Sequence, residues 1–292
     1  MKLSRQDRVG MALFMTPGML LFLGFFVLPV FYVLAVSALE WNGMTSPVFV
    51  GLNNYLRIWR DVVFRRSVGN NIIWALVACC VQVPLAILMA LILNSKPRGW
   101  QAFRTIYFFP QVISGVALAM LWSAVYNSEY GLLNGILHAL GRGDLARNWL
   151  GNLQTALPAL LIYWVFYVGY YMVIIMSDLS GITQDYYEAA QIDGAGSIQQ
   201  AWYISLPLAR NSIMTCVTLA AVLSLRQFEQ VFLLTNGGPA NRTSTMVLYL
   251  YKQIQNMRYG QANAASVMLI CLGVVVILGI RRLFAMRSSA YE

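Results

Sequence analysis

The chain has 292 residues, of which 59% are hydrophobic and 11% charged, and its formal net charge is +9. A soluble domain carries about 25% charged residues, so this composition excludes an ordinary water-soluble fold and points to a membrane protein. The basic residues stand in short clusters between apolar runs, the pattern found beside membrane spans, which argues against a nucleic-acid surface.

A hydrocarbon core takes about 20 apolar residues per helix. Runs of that length cover 9–39, 67–95, 105–128, 148–177 and 259–280, and a sixth, 211–235, is interrupted by Arg226 and Glu229. The expected fold is all-α and polytopic, with six transmembrane helices. The first run follows Lys2, Arg5 and Arg8, exceeds a signal-peptide core and lacks a small-residue cleavage site, so it is expected to remain as a span. In the next connection, 40–66, Tyr55, Leu56, Ile58, Trp59, Val62, Val63 and Phe64 alternate with charges at helical spacing, which predicts an amphipathic helix at the interface. Pro84 should kink the second span, and Ala86 and Ala90 offer it a small-residue packing face. Phe109-Pro110 opens the third. The connection 129–151 holds the single histidine, His138, expected to be a solvated loop residue with nothing nearby to complete a metal site. Cys79, Cys80, Cys216 and Cys271 all fall in apolar runs without redox or metal spacing and are expected to act as small packing residues.

The fourth run carries Tyr163, Tyr167, Tyr170 and Tyr171 at helical i, i+4, i+7, i+8 spacing. That stripe suits either core packing or a cavity wall on which sugar rings stack. In the fifth, Arg226 and Glu229 are three residues apart, so on a helix they face one way and can pair, with Gln227 and Gln230 adding polar groups and Phe228 and Phe232 an apolar surface one turn apart. A charge at membrane depth is expensive unless paired or wet, so these residues form either a register-fixing pair or the wall of a polar path. Leu234-Thr235-Asn236-Gly237-Gly238-Pro239 then makes a turn.

Between the fourth and fifth runs lies the most polar stretch of the second half, DYYEAAQIDGAGSIQQAWYISLPLAR, residues 185–210. Thr183 can cap a helix over 184–192, and Asp193-Gly194 breaks it. Ser197 with Gln200 forms a capping-box pattern for a second helix, which Pro207 should end. The product is a helix–turn–helix with an apolar side of Ile192, Ile198, Trp202 and Leu206. Such an object does not span a bilayer and is built to dock into another protein, or else lies as a plain hairpin at the interface.

Glu188-Ala189-Ala190, Gly194 and Ile204-x-Leu206-Pro207 match the EAA pattern, EAA-x3-G-x9-I-x-L-P, and the chain thereby resembles the permease subunits of binding-protein-dependent ABC importers. Thr183 departs from the proline common at its position and Ala201 from a large aromatic, for which Trp202 can substitute. Leu234 to Pro239 is similar to the L-T-x-G-G-P motif of the carbohydrate-uptake branch, the maltose and glycerol-3-phosphate permeases, and Gly51-Leu52-Asn53-Asn54-Tyr55 to its G-L-x-N-Y stretch. The resemblance implies a subunit that moves a sugar or related polyol, delivered by an extracytoplasmic binding protein, into the cytoplasm. It further implies an ATP-binding cassette ATPase dimer and a second, homologous permease as partners, in the inner membrane. In that family the EAA loop is the cytoplasmic coupling loop, here 181–210, with Glu188, Ala189, Ala190, Asp193, Gly194, Ile204, Leu206 and Pro207 as the ATPase-coupling residues. The corresponding division is an N-terminal segment over 1–66, a core over 67–282 and a cytoplasmic tail over 283–292. The substrate-path candidates are Tyr163, Tyr167, Tyr170, Arg226, Gln227, Glu229 and Gln230. Basic flanks alone leave orientation near a tie: Lys96, Arg98, Arg104, Arg281, Arg282 and Arg287 favour cytoplasmic termini, whereas Arg57, Arg60, Arg65, Arg66, Arg242, Lys252 and Arg258 fall on the opposite side. The coupling loop decides for both termini inside.

No G-x-x-x-x-G-K-[ST] occurs, so ATP and Mg belong on another subunit and no cofactor or metal is expected on this chain. No H-E-x-x-H, G-x-S-x-G or paired catalytic carboxylates occur either, which disfavours an intramembrane enzyme. A stand-alone secondary transporter is the alternative, but Glu229 is the one plausible coupling acid and no internal repeat is visible.

Overall fold

The computed structural model of the chain describes residues 5–288, with the side chains of 5–9, 12 and 285–288 left aside; Lys2 therefore lies outside what is described, and of Arg5, Arg8 and Arg287 the backbone is described and only the side chains are not. The described chain is mostly helical. Four helices, Leu13–Ser37, Val62–Asn94, Ala156–Leu179 and Tyr259–Phe284, are long and apolar enough to cross a membrane, and the number rises to six if each of two bent pairs counts as one span. The pairs are Trp100–Gln111 with Gly115–Val125, bent by 100°, and Ser197–Leu208 with Arg210–Leu225, bent by 73°. The apolar stretches thus form helices where expected, but the third and the approach to the fifth turn sharply.

Three of these helices contain a π-turn, at Leu23–Val27, Ala78–Gln82 and Ala201–Ser205, and each is followed at once by a helix with proline in second place: Pro29, Pro84 and Pro207. Proline donates no N–H and its ring collides with the carbonyl four residues back. Widening the preceding turn carries that carbonyl away, so the helix continues. Hence Pro84 leaves the Val62–Asn94 helix a continuous 33-residue span.

The chain divides into two compact units, 1–61 with 249–270 and 62–248 with 271–292. In the first, the Leu13–Ser37 helix is bare around most of its surface, as an all-apolar helix facing lipid would be. It leads into a small antiparallel hairpin, Leu39–Glu40 with Val48–Phe49. The amphipathic helix expected over 55–64 is divided: Asn53–Arg60 forms it, Asp61 is extended at φ −70°, ψ 120°, and Val62, Val63 and Phe64 already belong to the next helix. Tyr249 Oη donates to Asp61 Oδ2 at 2.9 Å, and Arg57 pairs with Glu40 at 2.9 Å.

In the second unit, Val83–Asn94 packs on Gly169–Leu179, Val62–Val77 on Arg210–Leu225, and Glu229–Thr235 on Gly115–Val125. Small residues let the backbones approach: Ala78, Ala86, Ala90, Ala220 and Ala221 are fully buried. His138 is exposed but stands on a short helix, Leu132–Ala139, and not in a loop. Cys216 is buried as expected of a packing residue, whereas Cys80 and Cys271 face outward.

The turn at 236–243 is tied down by hydroxyls and amides. Thr235 Oγ1 lies 2.7 Å from Thr243 Oγ1, which donates to Gly238 O at 2.9 Å. Asn70 Nδ2 donates to Arg242 O and Ser244 O, both at 2.8 Å, and Ser67 Oγ to Ser244 Oγ at 3.1 Å. Thr243, Ser244 and Thr245 are completely buried, so the far end of the turn is riveted by polar groups while Asn236, Ala240 and Arg242 stay exposed.

Candidate functional site

Two features stand out in the second unit, a knuckle at 183–209 and a cavity among the helices. The first knuckle helix is Gln184–Ile192, with Thr183 in the cap position but making no side-chain cap bond. Its far end is closed by Ala195 N–H donating to Ala190 O at 2.8 Å and Gly194 N–H to Gln191 O at 3.0 Å. This is the Schellman pattern, which needs a left-handed residue just past the helix. Gly194 supplies it at φ +82°. The spacing of Ala190 and Gly194 in the sequence is thus the geometry of one helix end.

The second helix starts one residue earlier than the expected Ser197 and Gln200 box. Gly196 is the cap, its N–H donating to Gln199 Oε1 at 2.9 Å, while Gln200 Nε2 donates to Ala195 O at 2.9 Å. Pro207 does not end this helix. The π-turn Ala201–Ser205 accommodates it, and the corner comes at Ala209. Tyr187 Oη and Ser205 Oγ, 3.0 Å apart, join the two helices. A cleft of about 1080 Å³, lined by Leu91, Ile92, Gln191 and Trp202 among others, lies between the knuckle and the end of the Val62–Asn94 helix.

The knuckle leaves large side chains uncovered: Ile192 is 87% exposed, Ile198 76% and Trp202 66%, with Tyr203 at 81%, and Ile198 and Trp202 also line that cleft. Leu206, expected on the same side, is half-buried. Glu188, Ala189, Asp193, Gly194 and Pro207 are exposed, and Ala190 and Ile204 intermediate. Four large side chains left exposed on one short hairpin make it a candidate contact site.

The cavity, of about 500 Å³, opens where three helices are interrupted. The interruptions fall at 112–114, 166–168 and 226–228. Ser114 begins the helix after the first, its Oγ accepting from Ala117 N–H at 3.4 Å. At the second, Trp164 O accepts from Gln82 Nε2 at 2.9 Å, and Tyr167 O accepts from the same amide at 3.2 Å and from Gln111 Nε2 at 3.3 Å. At the third, Leu225 O accepts from Asn71 Nδ2 at 2.8 Å and Gln227 O from Thr245 Oγ1 at 2.7 Å. Asn71 Oδ1 also accepts from Met246 N–H at 2.8 Å. An unpaired backbone group in hydrocarbon costs several kcal/mol, so these side chains make the interruptions tenable.

All seven residues singled out as path candidates, Tyr163, Tyr167, Tyr170, Arg226, Gln227, Glu229 and Gln230, line this one cavity. Tyr163 and Tyr167 meet edge to face with ring centroids 5.3 Å apart. The expected Arg226–Glu229 pair is not formed. The helix ends at Leu225, so helical spacing no longer relates the two, and both are exposed to the cavity. Phe228 and Phe232 do stack, at 5.3 Å. The Glu229 carboxylate lies against Gly115 at the first turn of Gly115–Val125, where a Cβ would collide with it. That end of a helix dipole favours an anion. Gln82 and Gln111, which also line the cavity, and Asn71 were not anticipated. Amides inside an apolar run are the signal that points to them, since a polar group at membrane depth needs a reason.

Comparison with known proteins fits this geometry. Residues 82–287 match the family described as the binding-protein-dependent transport system inner membrane component. The multiple sugar-binding transport system permease protein MsmF of Streptococcus mutans is 36% identical over 88% of this chain and 89% of its own. The lactose transport system permease protein LacF of Rhizobium radiobacter is 32% identical over 98% of this chain and 97% of its own. Among solved structures, a bacterial ABC transporter involved in import of the acidic polysaccharide alginate superposes with a TM-score of 0.83, covering 97% of this chain and 96% of that one, at 22% identity, which speaks for the fold alone. On these matches the chain belongs to the binding-protein-dependent transport system inner membrane components, the permease subunits of ABC importers.

Proposed function

We propose that this permease subunit moves a sugar or related polyol inward through the cavity bounded by the three helix interruptions. The observation that carries the proposal is the lining of that cavity. Tyrosine rings offer flat faces for the C–H side of a sugar, and Gln82, Gln111, Gln227 and Gln230 bring amide groups to the same cavity, the chemistry that suits hydroxyls. The names of MsmF and LacF attach those relatives to sugar uptake, which favours the same cargo here.

In this proposal the chain crosses the inner membrane six times with both termini in the cytoplasm, each bent pair serving as one span. It is divided into an N-terminal span with an external amphipathic segment over 1–66, the core over 67–282 and a cytoplasmic tail over 283–292. The knuckle within 181–210 then faces the cytoplasm, where an ATPase dimer holding ATP and Mg grips its uncovered side chains. Glu188, exposed and without an ion pair among the described residues, is available for a contact with that partner. Closure of the ATPase pulls on a short rigid lever and tilts the Arg210–Leu225 helix through the 73° corner. A second, similar permease and an external binding protein complete the assembly. A solved structure with the same fold contains a periplasmic protein bound to an alginate pentasaccharide.

The test is uptake of labelled maltose, lactose and glycerol-3-phosphate by vesicles holding the whole importer. Uptake of at least one of them should vanish on ATP depletion and survive collapse of the proton gradient. The reverse pattern would identify a secondary transporter, and ATP-dependent uptake of none across a panel widened to other sugars and polyols would remove that assignment.

A further inference from the structure

We infer that Asn71 and Gln82 are positioning residues through which one helix, Val62–Asn94, sets the shape of two walls of the cavity. The transport meaning of this rests on the cavity being the path proposed above; the geometry does not.

Each residue closes a different interruption. Gln82 spends its amide N–H groups on Trp164 O, just before the break in the tyrosine wall, and Tyr167 O, within it. Asn71 holds Leu225 O, the last carbonyl before Arg226, and accepts from Met246 N–H. Both side chains are essentially inaccessible, at 0% and 1% exposure. The orientation of Gln82 is fixed by its partners, because a flipped amide would set its oxygen against two carbonyl oxygens. Its Oε1 has no hydrogen-bond partner. A glutamine kept in a buried site with its acceptor unused is there for its donors.

The two residues are separated by about three helical turns. Between them lies the π-turn Ala78–Gln82, of which Gln82 is the final residue. The wide turn redirects the side chain that stitches the tyrosine break. A displacement of this helix is therefore passed to both walls, the first through Gln82 and the second through Asn71. Amides that merely fill a core would show no such division of labour.

The division can be measured with a thiol reagent as probe, in vesicles holding the whole importer, after Cys79, Cys80, Cys216 and Cys271 are replaced by Ala. Reporter cysteines are placed at Tyr170 for one wall and at Arg226 for the other. The probe is 2-(trimethylammonium)ethyl methanethiosulfonate. Gln82→Met, which keeps volume but removes the donors, should change the labelling rate of Tyr170→Cys by about fivefold, equivalent to about 1 kcal/mol, and leave that of Arg226→Cys unchanged. Asn71→Leu should do the converse. Gln82→His, which retains one N–H donor for the two carbonyls, should bring the rate at Tyr170→Cys part of the way back to the parent value and serves also if the Met variant fails to reach the membrane. Equal shifts at both reporters, no shift at either, or a His variant no closer to the parent rate than the Met variant would overturn the inference. Uptake measured on the labelled reporters is a separate readout. If transport continues with both cysteines modified, the cavity is not the path, whatever the labelling pattern shows about the clamps.

Discussion

Substitution of Gly194 by Val tests the lever most directly. Gly194 sits at φ +82°, and a Cβ built there would meet nothing within 4 Å. The penalty is therefore torsional and not steric. An L-residue in the left-handed region costs about 1–2 kcal/mol, with a β-branched side chain at the upper end. At about 2 kcal/mol the population of the closed turn relative to its alternatives falls roughly 30-fold. The bonds at stake are Ala195 N–H to Ala190 O and Gly194 N–H to Gln191 O, which hold the angle between the two knuckle helices. Asn visits this region more readily than other residues, so the order of impairment should be Asn, then Ala, then Val. The assay is stimulation of ATP hydrolysis in the reconstituted importer, with membrane content followed by immunoblot. Membrane content should stay level while stimulation falls in that order. Normal stimulation by the Val variant, or an Asn variant worse than Val, would refute the lever.

Trp202→Ala removes a side chain that is 66% exposed, so this chain's own stability should change by no more than about 0.5 kcal/mol. Co-purification of the ATPase in detergent should fall at least about tenfold, as for a buried aromatic anchor at an interface. Arg226→Gln removes a cationic donor from the cavity. The KM for uptake of whichever labelled sugar is transported should rise by about tenfold or more, the scale of a hydrogen bond to a charged group, with membrane content unchanged. The hydrogen bond and charge of Arg57 hold the Glu40 carboxyl below its ordinary 4.5. That depressed value makes the link a stabilising element above pH 4.5 which is lost as pH falls through the lower folded-state value. Melting of the detergent-solubilised chain should thus be more acid-sensitive in the parent than in Glu40→Gln, by a small margin because both side chains are exposed.

Hydrophobic run length made the main helices legible, since burial in lipid demands it of any sequence. The first knuckle helix was legible at both ends, at Gly194 for the expected reason, its left-handed φ, whereas Thr183 holds the cap position without the side-chain bond that capping would supply. The interruptions were not. Phe166, Tyr167 and Val168 are as apolar as their flanks, and the break there is tenable because Gln82 and Gln111 satisfy the freed carbonyls of Trp164 and Tyr167 from elsewhere. For the same reason helical spacing misled at Arg226 and Glu229, where Asn71 holds the last carbonyl of a helix that has already ended. Pro207 was expected to end a helix because a proline forbids an ordinary turn, and the sequence does not announce a wider one. The candidate cavity residues were readable as unusual chemistry in apolar surroundings; that they share one cavity depends on contacts between distant segments.

The wide turns ahead of Pro29, Pro84 and Pro207 also constrain how this chain can change length. Each contains one residue more than an ordinary turn, and deleting it rotates everything downstream by about 100°. Beyond Gln82, that would swing the buried Val83, Ala86 and Ala90 out of the core and turn the exposed Leu88 toward it, while pressing Pro84 back onto a carbonyl. A relative that has lost the extra residue should therefore have lost the proline with it, and aligned sequences in which only one of the pair is missing should be rare.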